Sequence, residues 1–117
     1  MHEISASPIT LSDLKSIISN PQVRLSESSR QAIRTCRTYL DERIARGGEA
    51  IYGINTGFGA LHNKSIAGSD LVQLQINLIQ SHACGMGERV PADIVRLMLY
   101  LKARGLSMGY SAAQVET

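Results

Sequence analysis

Residues Ile51-Tyr52-Gly53-Ile54-Asn55-Thr56-Gly57-Phe58-Gly59 constrain this chain more than any other stretch, with three glycines inside seven residues and polar Asn55 and Thr56 between them. Each glycine in a helix interior costs about 1 kcal/mol relative to alanine, so a helix is excluded. The segment reads as a short extended piece, Ala50 to Tyr52, entering a hinged loop that carries one phenol. As a phosphate cradle it fails, because no Lys-Ser/Thr follows and Gly57-x-Gly59 lacks a third glycine three residues on. Two readings stay open on residue types. One is a glycine-rich turn with Tyr52 packed against the core. The other is a mobile lid whose closure brings the phenol to a substrate and expels water. A phenol ordinarily ionises at about pH 10, so a base near neutrality needs a nearby cation or oriented donors. None stands beside Tyr52 in sequence.

The rest of the chain is helical in character. A length of 117 residues allows one small domain. Aromatic residues are 4% of the chain and tryptophan is absent, so the core rests on Leu, Ile, Val, Ala and Met. The 12 basic and 10 acidic residues are interspersed and the net charge is +2. That pattern offers no basic footprint for nucleic acid and no polybasic membrane patch. No apolar run reaches the roughly 18 residues of a membrane helix, and Met1 to Pro8 lacks a signal-peptide pattern. Cys36 and Cys84, the two cysteines, form no disulfide framework and read as reduced thiols of a cytoplasmic protein.

In chain order, residues 1–8 read as a polar lead-in. Thr10, with Asp13 three residues on, predicts a capped helix over Leu11–Ser19 that Asn20-Pro21 ends. Val23 and Leu25 fall in a connector. Ser26 caps a second helix, Glu27 to about Arg46, with Ile33, Cys36, Leu40 and Ile44 on one face and Gly47-Gly48 at its end. A third helix runs from Ser69-Asp70 to about Ala83 with a stripe of Leu71, Leu74 and Leu78. Its uncharged Gln73, Asn77 and Gln80 suggest a semi-buried polar face. A fourth, from Pro91 to about Met108, is apolar nearly all round, which predicts burial. Ser111 and Gln114 have capping-box spacing and predict the first turns of a fifth helix.

Ser81-His82-Ala83-Cys84-Gly85-Met86-Gly87 is the second segment of chemical interest. At a helix C-terminus, where the dipole favours a cation, His82 reads either as a capping histidine or as a pocket-rim donor to a polar or anionic substrate. A zinc site from His62, His82 and Cys84 fits no standard ligand spacing, and a Cys84 nucleophile lacks an orienting third group. No metal site is expected.

Tyr52 through Gly59 resembles the signature loop of the aromatic amino-acid ammonia-lyases. The similarity continues through Leu74 to Glu88, Arg96 to Leu99, Leu101-Lys102 and Gly109-Tyr110-Ser111. It is weak before residue 50 and strong after it. The Ser81-His82-Ala83 form is similar to the histidine ammonia-lyase branch, although tyrosine lyases and aminomutases also carry a histidine there. The resemblance implies a mainly α fold with a short extended segment and a glycine-rich loop. It implies elimination of ammonia from L-histidine to give trans-urocanate, the first step of histidine degradation. Tyr52 is then the catalytic base that removes the β-proton, His82 helps position the side-chain end of the substrate, and Gly59 lines the pocket. It also implies a homotetramer with shared sites and a methylidene-imidazolone (MIO) electrophile built from an internal Ala-Ser-Gly.

No Ala-Ser-Gly occurs in these 117 residues, and Ser111-Ala112-Ala113 stands where the family usually has Ser-Gly. The chain therefore reads as an N-terminal portion, an incomplete domain over residues 1–117 that is inactive alone and associates with itself or with other lyase segments. The alternatives are a tyrosine lyase or aminomutase fragment, or a non-catalytic helical module that pairs with a full-length lyase.

Overall fold

The computed structural model describes residues 1–48 and 50–117, with Leu61 described in its backbone only. It is mainly helical, and its residues divide into two compact units, 1–42 with 89–117, and 43–88.

In the first unit, strands β1 (His2–Ile4) and β2 (Val23–Leu25) pair in parallel, with His2 opposite Val23 and Ile4 opposite Leu25. Helix α1 (Leu11–Ser19) forms the crossover between them. The expected polar lead-in and connector are thus a strand pair. Three-residue strands carry too short a pattern to stand out in sequence, and their pairing is sealed by long-range bonds from His2 N to Gln22 O and Ser26 N to Ile4 O.

Helix α1 has the predicted bounds and the predicted capping box. Asp13 N donates to Thr10 Oγ1 at 3.2 Å and Thr10 N to Asp13 Oδ2 at 2.7 Å. Helix α2 (Glu27–Arg46) begins at the predicted Ser26, whose Oγ accepts from Ser29 N at 3.1 Å. Its predicted stripe turns inward: Ile33 and Leu40 are buried, Cys36 and Ile44 half-buried. Helix α4, Ala92–Ser107 in this structure, joins α1 and β1 through a core of Ile4, Ile17 and Tyr100, with Ile9, Leu14, Leu25 and Ala103 packed around it.

Only part of α4 is covered. Tyr100 and Ser107 are buried, while Met98 is 61% and Leu99 65% exposed and Ile94, Val95 and Leu101 are also exposed. The burial predicted for its whole circumference is therefore not reached within these residues. Nor does a fifth helix form. Ala112 takes a left-handed φ of 50°, which a right-handed helix cannot contain, and Arg37 Nη1 donates to its carbonyl.

In the second unit, a 3-10 turn over Gly68–Asp70 leads into helix α3 (Leu71–His82). Leu71, Leu74 and Leu78 are half-buried, as their stripe predicts. The amide face is not semi-buried: Gln73, Asn77 and Gln80 are exposed, and Gln73 Nε2 donates to Asn77 Oδ1 at 2.8 Å along the helix.

Candidate active site

The glycine loop lies wholly in the second unit. Its entry is a turn and not the extended piece expected over Ala50–Tyr52. Ile54 N and Asn55 N both donate to Ile51 O, and Asn55 Oδ1 accepts from Ile51 N at 2.7 Å. The asparagine side chain here replaces strand pairing, which is why an extended reading of three apolar-flanked residues fails. Gly53 sits at φ 76° within the turn, where a side chain would be strained.

Extended pairing begins later. Thr56 bridges Ser65 in antiparallel fashion, Gly57 N donates to Lys64 O at 3.0 Å, and Ile66 N donates to Asn55 O at 2.9 Å. Thr56 is 1% exposed, and its hydroxyl donates to Gly57 O. Residues 55–57 and 64–66 therefore close a ring, and the segment between them, including the 3-10 turn over Gly59–Leu61, projects from a tied base.

Tyr52 is 64% exposed, so it is not packed into a core. Its ring meets Phe58 edge-on, centroids 6.0 Å apart at 74°, a favourable aromatic geometry. The phenol thus stands free while its ring is steadied by the phenylalanine six positions on.

A cavity of about 580 Å³ opens beside it, lined by Ala50, Tyr52, Thr56, Gly59, His62 and Asn63. Of the residues predicted from sequence, Tyr52 and Gly59 come together here and His82 does not line this cavity. His82 is exposed at the end of α3, its Nδ1 2.9 Å from Leu78 O and 3.0 Å from Ser81 Oγ. A carbonyl only accepts, so His82 donates to its own last turn, the capping contact that its position allows.

Asn63 is a cavity residue that sequence reasoning missed, and His62, weighed there only as a metal ligand, is another. The signal was a spacing of three. In a 3-10 turn residues i and i+3 eclipse, which returns His62 over Gly59: its backbone N and its Nδ1 each lie 3.1 Å from Gly59 O. Among the described residues no group of three His, Cys, Asp or Glu side chains is placed to hold a metal ion, and no helix is long and apolar enough to cross a membrane. Both cysteines are free.

A family model described as aromatic amino acid lyase matches residues 9–117. The histidine ammonia-lyase of Deinococcus radiodurans is 53% identical over 95 residues, covering 81% of this chain and 18% of that protein. Among solved structures, the ergothioneine-degrading enzyme ergothionase of Treponema denticola superposes with a TM-score of 0.90 at 26% identity, over 98% of this chain and 23% of its own. The histidine ammonia-lyase of Trypanosoma cruzi gives a TM-score of 0.83 at 28% identity, over 99% and 22%. The chain thus spans about a fifth of the length of the curated relatives it matches. With the family model matching nearly its whole length and its fold shared with solved lyases, the chain belongs to the aromatic amino acid lyase family.

Proposed function

We propose that these residues supply the base loop of a histidine ammonia-lyase, an enzyme that converts L-histidine to trans-urocanate and ammonia. The observation that carries this reading is the exposed Tyr52 phenol at the rim of the cavity, on a loop whose base is tied by the Thr56–Ser65 bridge. On this reading Tyr52 takes the substrate's β-proton, Gly59 leaves its part of the cavity wall without a side chain, and His82, which does not line this cavity, meets the side-chain end of the substrate in the assembled enzyme. Sequence identity to relatives named histidine ammonia-lyase supports histidine as the substrate. A cytoplasmic location and a homo-oligomer belong to the same reading.

The MIO electrophile of the family supplies electrophilic activation of the substrate amine. The present residues contain no Ala-Ser-Gly from which to build it, so they do not fit that role and no step through it is assigned to them. These 117 residues on this reading form an incomplete domain, inactive alone.

Complementation tests the reading. The chain alone, given L-histidine, should form no urocanate by ultraviolet absorbance. Mixed with a lyase segment that carries Ala-Ser-Gly, it should form urocanate, and Tyr52→Phe should lower that rate by about 10²-fold or more. Full activity in the Tyr52→Phe mixture would remove Tyr52 as the base. Turnover of L-tyrosine in place of L-histidine would move the chain to the tyrosine branch.

The exposed apolar side of α4 favours the second reading, a non-catalytic module that pairs with a full-length lyase. On that reading the chain binds such a lyase but adds no activity to the Ala-Ser-Gly segment.

A further inference from the structure

We infer that Asn55 is the positioning residue for the Tyr52 phenol, acting through the backbone on either side of it; the inference deepens the lyase reading and rests on it for the identity of the reaction. Tyr52 is 64% exposed, so burial does not fix where its hydroxyl stands. The hold comes from the turn that carries it, and three hydrogen bonds of that turn converge on Asn55. Its Oδ1 accepts from Ile51 N at 2.7 Å, its backbone N donates to Ile51 O at 3.2 Å, and its carbonyl accepts from Ile66 N at 2.9 Å. The first two close a ring from Ile51 to Asn55 with Tyr52 inside it. The third fastens that ring to the segment that also bridges Thr56.

Two of these bonds are made by backbone atoms that any residue but proline supplies. The shortest is made by the carboxamide, and there the residue type matters: the acceptor stands at the short reach from its own backbone that asparagine and aspartate share. Asn55 thereby sets where the Tyr52 backbone lies, and Phe58 sets where its ring points. The Phe58 ring passes over Gly53, with Cε1 3.7 Å from the place a Cβ would occupy, and meets the Tyr52 ring edge-on. A base that takes a carbon-bound proton depends on placement, since an error of about 1 Å costs about 10²-fold in rate.

A double-mutant cycle and a conformational readout test the assignment together. In the complemented enzyme, Asn55→Ala should lower the rate of urocanate formation by about 10- to 100-fold. The same change made in the Tyr52→Phe background should cost less than about twofold, because no phenol is left to place. A general loss of folded enzyme cuts both backgrounds by one factor, and that result would overturn the assignment. Asn55→Asp, which keeps the acceptor, should come within about fivefold of the unsubstituted rate on the plateau of its own pH profile, and a rate as low as that of Asn55→Ala would count against the contact. In the isotopically labelled 117-residue chain, the Ile51 amide should exchange slowly, and the α–β proton couplings of Tyr52 should report one χ1 rotamer. Asn55→Ala should speed Ile51 exchange at least about tenfold and average the couplings, while the Gly57 and Ile66 amides stay protected. Fast Ile51 exchange or averaged couplings in the unsubstituted chain would remove the contact on which the assignment stands. Those two readouts need no turnover, so the lyase reading fails separately, by full urocanate formation in the complemented Tyr52→Phe enzyme.

Discussion

Two residues after α4 carry opposite backbone problems. Gly109 has φ 76°, and a Cβ built there would lie 2.8 Å from the backbone of Ala32 in α2. Both the left-handed conformation and the contact exclude a side chain, since helix backbone does not give way as a flexible side chain does. Gly109→Ala should destabilise the first unit by at least about 2 kcal/mol, read as a lower thermal midpoint. Ala112, at φ 50°, is the reverse case, a residue with a Cβ where the conformation favours glycine. The family resemblance already marks this place as one where Ser-Gly is usual. Ala112→Gly should therefore raise stability by a few tenths to about 1 kcal/mol in the same measurement. A drop in the midpoint would show that the alanine methyl is making a compensating contact.

At the scale of elements, α1 shows what a sequence can state in advance. Thr10 and Asp13 serve one another's backbone across the first turn, so Thr10→Ala should cost about 1 kcal/mol of thermal stability. The hydrogen bonds from the Thr10 backbone and hydroxyl hold the Asp13 carboxyl below its ordinary value of 3.8. A depressed folded value means that the stabilisation is fully present above the ordinary value and is lost as pH falls through the lowered one. Acid unfolding followed by circular dichroism should begin at higher pH in Asp13→Asn only if other carboxylates set the onset; with Asp13 contributing, the wild-type advantage over the variant shrinks as the medium becomes more acid than pH 3.8. The helices α1 and α2 were legible because caps and stripes are local. Strands β1 and β2 were not, because each gains its partner some twenty residues away. At the candidate site Tyr52 and Gly59 were legible as an unusual loop, whereas His62 needed the tight turn that folds it back over Gly59. The fifth helix failed because a capping pair sets only a start, and the φ of Ala112 forbids continuation.

At the scale of the whole molecule, the apolar residues outnumber the places to bury them. Within α4 alone, the neighbours Met98 and Leu99 are more than half exposed, and apolar surface marks an interaction site where it is contiguous. The isolated chain should bind a hydrophobic dye and sediment as more than a monomer. A dye-silent, monodisperse monomer would show the surface to be too scattered to associate. The core of the first unit has a temporal consequence as well. Ile4 and Ile17 are covered by Tyr100, and the Arg104 guanidinium donates to Ser7 O across 97 positions of chain. During synthesis the first strand emerges early and waits for α4 before its core can close. Ribosome-bound chains halted before residue 100 should remain protease-sensitive over residues 1–42, and those that expose α4 should become resistant in one step.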